Sequence, residues 1–387
     1  MRKRLVSIVL LIAAVFAFSG CTAAFPKEYL SVSDYSDASH PDYKGDIWKI
    51  SDYDQLKNAI ISMVNGHKVA ERLKFINYEG TLTADIAKAC GEVKTETALG
   101  GFAVDYMSHD LGRVATYYEA TIYIKYKRTQ SEIDNIRYIS GKSEMTEIIA
   151  SALDGLSGYV ALRMNAVNIT EQEVLDAVAA AYLQNPACCV VPPKAGAKIY
   201  PQTGLTHILE IELDYGMEPH KLQKMKSALG GSLGKLSSSI STPNKSKFAL
   251  DAYRALAKDC EYDPDGSKRR ANSKLEDGLG STVYGVMVEK CADSLGLALA
   301  FKALCATADI DCFVVNGNLD NVPHSWNIIM LEDSYYHVDV SADESFGISK
   351  SFLRSDGQMA EGYVWQREMY PICNGTKGFT DILERAF

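Results

Sequence analysis

The sequence predicts an α+β protein whose chemistry lies in its carboxy-terminal third. Three observations carry this reading. Helix-period and strand-like apolar segments alternate along the 387 residues. One order of such segments recurs at an offset of 88 to 89 positions. Near the carboxy terminus two strand candidates, His324 to Leu331 and Tyr335 to Ser341, read as a β-hairpin that gathers polar side chains on one face. With 47% hydrophobic residues the chain has material for packed cores, which excludes a wholly disordered chain and a polytopic membrane protein. At about 150 residues per domain, two to three domains are expected.

Met1-Arg2-Lys3-Arg4, the apolar run Leu5 to Phe18 and the small residues before Cys21 have the layout of a secretion signal over residues 1–20. That apolar run is shorter than the roughly 20 residues a spanning helix needs. Phe18-Ser19-Gly20-Cys21 resembles a bacterial lipobox, which implies cleavage before Cys21 and acylation of its sulfur, palmitate being a typical chain. The expected location is the extracellular face of a bacterial membrane, with the membrane a partner only through this lipid anchor. Removing residues 1–20 takes Arg2, Lys3 and Arg4 and no acid, so the net charge moves from −9 to −12. Such a balance disfavours nucleic acid as a partner, and basic contacts with anionic lipid as a means of attachment. Residues 21–48, rich in Ser, Asp, Tyr and Pro without periodicity, read as a tether.

Residues 49–137 and 138–229 read as two related α+β modules. In the first, a helix carrying Leu56, Ile60, Met63 and Val64 precedes a strand ending at Ile76-Asn77, a helix with Ile86, Ala89 and Cys90, and a strand from Tyr117 to Tyr126. In the second, Met145, Ile149 and Leu153, then Met164-Asn165, then Val174 and Val178, then Leu209 to Tyr215 repeat that order. His67, His109, His207 and His220 are scattered singly and read as solvated or satisfied histidines rather than ligands. The Gly- and Ser-rich stretch 230–244 reads as a linker to a last domain, 245–387. The cysteines after Cys21 are even in number, which permits disulfides outside the cell. They include no CxxC and no His/Cys cluster with ligand spacing, so neither a metal nor a cofactor is expected.

In the last domain a helix around Phe248 to Ala257 precedes the turn Tyr262-Asp263-Pro264-Asp265-Gly266, and an apolar helix runs from about Ser294 to Ala308. A strand from Cys312 to Val315 is expected to stop at Asn316-Gly317. If the following hairpin turns through two residues, Glu332-Asp333 or Asp333-Ser334, then His324, Trp326 and Asp339 share one face; a three-residue turn separates them. A histidine beside an aspartate makes a base and its orienter. An inert cross-strand polar pair is the plainer alternative.

The run from Tyr284 to Asp339, with His324-Ser325-Trp326-Asn327 and His337-Val338-Asp339-Val340-Ser341 in order, resembles the transglutaminase-like domain of bacterial extracellular proteins. The tail from Phe352 to Met359 and from Trp365 to Cys373 extends that resemblance, which covers roughly residues 245 to 375. It implies papain-like chemistry, in which a thiolate at a helix amino terminus attacks an amide and forms a thioester. His324 then matches the catalytic histidine and Asp339 its orienting carboxylate, with Trp326 and Gly296 lining the site. At the nucleophile position stands Ser294, and Cys291 lies three residues earlier. Three outcomes follow. The domain has lapsed into a pseudoenzyme that binds a protein, peptide or cell-wall ligand in its groove; or Ser294 performs acyl transfer with His324 and Asp339; or Cys291 replaces it after a local shift.

Overall fold

The computed structural model describes residues 47–384 apart from 167, 273, 274, 276, 277 and 344–346. The expected signal segment, Cys21 and the tether up to residue 46 lie outside the described residues. No described helix is long and apolar enough to cross a membrane. The described residues divide into two compact units, one running to Gly91 and including Val104–Tyr126, the other comprising Glu92–Ala103 and the chain from Lys127 onward.

The first unit holds a sheet of order β1-β2-β4-β3, with β1 Trp48–Ile50, β2 Ala70–Phe75, β3 Val104–Val114 and β4 Tyr117–Tyr126. Helix Tyr53–Asn65 joins β1 to the parallel β2, and starts where the Asp52 carboxylate accepts the Gln55 N–H at 2.9 Å. Leu56, Ile60 and Met63 form its buried stripe. The second unit opens with a sheet of the same order, β5-β6-β8-β7, from β5 Arg137–Ile139, β6 Tyr159–Asn165, β7 Lys194–Tyr200 and β8 Thr206–Asp214. Its registers repeat those of the first sheet. Trp48 pairs with Leu73 and Arg137 with Leu162, Ala70 with Tyr123 and Tyr159 with Glu212, each second pair 89 positions beyond its counterpart. Helix Glu171–Gln184 begins in a capping box, Thr170 with Glu173. Of the singly placed histidines, His207 is buried, with its Nδ1 2.7 Å from the Pro201 carbonyl oxygen and its Nε2 3.2 Å from that of Ala166.

The stretch 230–244, expected as a linker, is helical as far as Ser239, within helix Pro219–Ser239. Proline at the helix start and burial of Leu222, Met225 and Leu229 outweigh the poor propensity of Gly230, Gly231 and Gly234. Nor does the core break there. Ile149, Leu162 and Leu209 belong to one buried cluster with Phe248, Phe301 and Ile329.

Helix Lys245–Asp259, capped by Asn244, leads to β9 (Glu261–Tyr262), which pairs in parallel with β10 (Cys291–Ala292). Helix Ser294–Thr307 follows directly. Leu297, Leu299, Phe301 and Leu304 are all buried, so it is apolar around its whole circumference. Against it packs an antiparallel sheet of order β14-β13-β12-β11-β15, from β11 Cys312–Leu319, β12 Val322–Leu331, β13 Ser334–Val338, β14 Phe352–Arg354 and β15 Tyr363–Val364. β11 does not stop at Asn316-Gly317 as expected. It runs on to Leu319 and turns through Asp320-Asn321, both at positive φ. Gly317 is needed in mid-strand, because a Cβ there would collide with the Val364 carbonyl and the Trp326 ring.

Candidate functional site

The β12–β13 hairpin turns through two residues. Leu331 pairs with Ser334, and Glu332 and Asp333 both take positive φ, as a type I′ turn requires. Ile328 therefore pairs with His337 and Asn327 with Val338. This parity sets His324, Trp326 and Asp339 on one face. The His324 Nε2 lies 2.7 Å from Asp339 Oδ2, with both residues buried.

Asp339 is the most heavily bonded group of the site. Tyr363 donates to its Oδ2 at 2.8 Å, the Ser341 hydroxyl to its Oδ1 at 2.6 Å, and the Ala342 N–H to Oδ1 at 3.3 Å. A carboxylate with its acceptor sites filled in this way only accepts, so the proton of His324 sits on Nε2 and Nδ1 is the basic position. Burial and then Asp339 push the Tyr363 phenol far up, which keeps it a donor.

Ser294 is the first residue of its helix, and Asp293 caps it by accepting the Gly296 N–H at 2.9 Å. The Ser294 Oγ accepts the N–H of Ser325 at 3.2 Å, one residue from the candidate base. No hydrogen bond joins it to His324 among the described residues. The Tyr262 phenol lies beside Ser341 and Ser294 and is pushed up by burial and by the charges of Asp339 and Asp293. Thus the three residues expected as a triad are gathered, but only His324 and Asp339 are bonded to one another. Ser325 and Ser341 lie beside His324 and Asp339 in the chain, whereas Tyr262 and Tyr363 join the site from β9 and β15 without any signal in sequence spacing.

Cys291 is elsewhere in its local geometry. It lies in β10, one residue ahead of Ala292 and before the cap residue, paired with Glu261. Its thiol faces Asp263 Oδ2 at 3.7 Å, and Arg269 holds its carbonyl. Burial and the Asp263 carboxylate push the thiol up, the reverse of what a nucleophile at a helix amino terminus needs.

The two residues expected to line the site, Trp326 and Gly296, are both buried. Trp326 has no exposed surface and packs with Val315, Ile328 and Met359. Gly296 is buried against the Gly280 carbonyl, which an added Cβ would strike, while also coming within 3.1 Å of Ala292 Cβ. Gly296→Ala should therefore cost about 1–3 kcal/mol in urea denaturation, and an unchanged midpoint would remove this packing role.

Below Trp326, His337, Asp356 and Cys373 bring one ligand atom each to within 4.8 Å of one another. The Trp326 indole N–H donates to His337 Nδ1 at 2.9 Å, and an indole cannot accept. His337 therefore carries its proton on Nε2, directed at Asp356 Oδ1 at 2.9 Å, and has no lone pair for a metal. Burial lowers the His337 pKa against the opposing pull of Asp356. Below about pH 6.5 the unfolded chain binds a proton that the folded chain refuses, so stability falls as pH drops through that window. Between pH 7.5 and 5.5 the wild type should lose more stability than His337→Gln; equal losses would contradict this.

No protein-family model and no curated protein matches the chain. It is similar to a crystal structure of a TGase, at 12% identity and a TM-score of 0.26, over 65% of this chain and 66% of the other. A provisionally assigned cysteine protease from Cytophaga hutchinsonii is similar at 12% identity and a TM-score of 0.24, over 45% of this chain and 65% of that one. A provisionally assigned protease from Parabacteroides distasonis is similar at 10% identity and a TM-score of 0.22, over 61% and 56%. The chain thus spans no more than about two thirds of the length of any of the three.

Proposed function

We propose that the chain is a transglutaminase-like protein of the cell surface, anchored through Cys21, whose groove binds an extended peptide or cell-envelope ligand without turning it over. The carrying observation is at Ser294. Where the chemistry needs a thiolate paired with an imidazole, a hydroxyl accepts the Ser325 N–H and makes no bond to His324. A hydroxyl cannot store the ion pair that a thiol near pKa 8.5 can. The matching order and register of the first two sheets support reading them as one duplicated module that precedes the transglutaminase-like region in the chain.

One observation favours a second reading. The His324–Asp339 pair is intact at 2.7 Å, as acyl transfer from Ser294 would require. Two measurements on one preparation separate the readings: affinity for extended peptides and cell-wall glycopeptides, and turnover of those that bind. Binding without turnover, unchanged within about threefold by Ser294→Ala, supports the proposal. Turnover abolished by that substitution overturns it.

A further inference from the structure

A cavity of about 620 Å3, a size usual for small-molecule sites, lies between β14 and residues 372–379. Ser294, His324 and Asp339 do not line it. Its walls are held in place: the Asp356 N–H donates to the Cys373 carbonyl at 2.8 Å, and Gly375 sits so close to the Tyr336 ring that an added Cβ would collide with it. β14 is bulged here. Arg354 pairs with His337 and Phe352 with Val338, so Leu353 is an extra residue, at φ 55°, in the left-handed region that a leucine enters only under strain. The bulge sends Phe352 and Leu353 alike into the core, at 1% and 3% exposure, and leaves the half-buried Arg354 in the cavity wall. Among the described residues the Arg354 guanidinium makes a single hydrogen bond, from Nη1 to the Ser349 carbonyl at 3.2 Å, and no ion pair. Its Nε is buried without an acceptor. The other charges of the wall are already matched, Lys377 with Glu332 and Asp356 with His337.

We propose that this cavity binds a carboxylate carried on an apolar group, with Arg354 as its counter-ion: the free carboxy terminus of a peptide ending in an apolar residue, or a small apolar acid. A cation drawn partly out of water with no opposing charge is unfavourable, and a bound carboxylate supplies that charge while accepting from the unused N–H groups of the guanidinium fork. The charge count selects the ligand. Asp356 stays an anion in the same wall, so a doubly charged phosphate is repelled more than a singly charged carboxylate. Ile372, 74% exposed, and Phe379 line the cavity with apolar surface for the group that carries the acid, and the side chains of Asn374 and Thr376 offer further polar contacts.

The test titrates N-acetyl-leucine into the full chain by calorimetry, with N-acetyl-leucinamide, which lacks the charge, as the paired probe. One N-acetyl-leucine should bind per chain at about 1 mM or tighter, and the amide about tenfold more weakly or worse. Arg354→Gln should weaken binding of the acid by about tenfold or more, and Arg354→Lys, which keeps the charge without the fork, by less. Ile372→Glu alters a side chain already in solvent, so folding is not at stake, and its charge should weaken binding by about threefold or more. A pentapeptide ending in leucine that binds more tightly than N-acetyl-leucine assigns the carboxylate to a peptide terminus, and the reverse assigns it to a small acid; both support the site. Equal binding of acid and amide, an affinity unchanged in Arg354→Gln, inorganic phosphate binding more tightly than N-acetyl-leucine, or no saturable binding of the acid or the pentapeptide up to about 10 mM would overturn it.

Discussion

Ser294→Cys is expected to give the protein a thiol that alkylates well below neutral pH and transfers acyl groups to an amine. The new sulfur would stand at the first residue of helix Ser294–Thr307, at the positive end of its dipole and one residue across from His324, whose Nδ1 is the basic position. A free thiol ionises near pH 8.5, whereas one at a helix amino terminus beside an imidazolium ionises between about 3.5 and 7.5. The midpoint of iodoacetamide labelling at position 294 should fall below about 6.5, and His324→Ala in the same background should raise it again. Acyl transfer should exceed the wild type by about 10²-fold or more, the usual contribution of a placed general base. Labelling must be mapped by site, because Cys188 is also lowered, while burial raises Cys90, Cys260, Cys291 and Cys373. A midpoint at or above 8.5 would mean that helix and histidine no longer activate this position.

Asp339→Ala should produce the largest loss of stability at the site. At 1% exposure the carboxylate accepts from His324, Tyr363, Ser341 and the Ala342 N–H. Alanine strands those donors in a dry environment, at about 1–3 kcal/mol for each buried donor left without an acceptor. Asp339→Asn keeps one acceptor oxygen and should cost less. Urea denaturation with an unchanged slope reads both values; a loss under about 1 kcal/mol for the alanine variant would mean that water replaces the carboxylate freely.

How far the site was legible depends on the kind of order involved. The face shared by His324, Trp326 and Asp339 follows from the parity of a two-residue turn, a local rule that strand alternation transmits without error. Ser294 at a helix start was legible for the same reason. Tyr262 and Tyr363 were not assigned to the site, because they come beside Ser294 and Asp339 only through tertiary packing of β9 and β15, whereas Ser341, two residues from Asp339, bonds it locally. Local rules also misplaced two features. Asn316-Gly317 has the composition of a turn but lies in β11, where the glycine makes room for Trp326. The glycines and serines of 230–239 suggest a linker but are held in a helix by burial of its first half. β3 went unrecognised because most of it faces outward, and β7 because two of its inward positions carry only the small Ala195 and Ala197.

A fluorophosphonate probe tests whether Ser294 is an activated nucleophile in the wild-type protein. Such a probe reacts with a serine hydroxyl only when a neighbouring base removes its proton as attack begins. Intact wild-type protein should show no adduct at Ser294 above that found after denaturation. Stoichiometric labelling of Ser294 in the folded protein, lost in His324→Ala, would contradict the proposed function and establish acyl transfer from serine in its place.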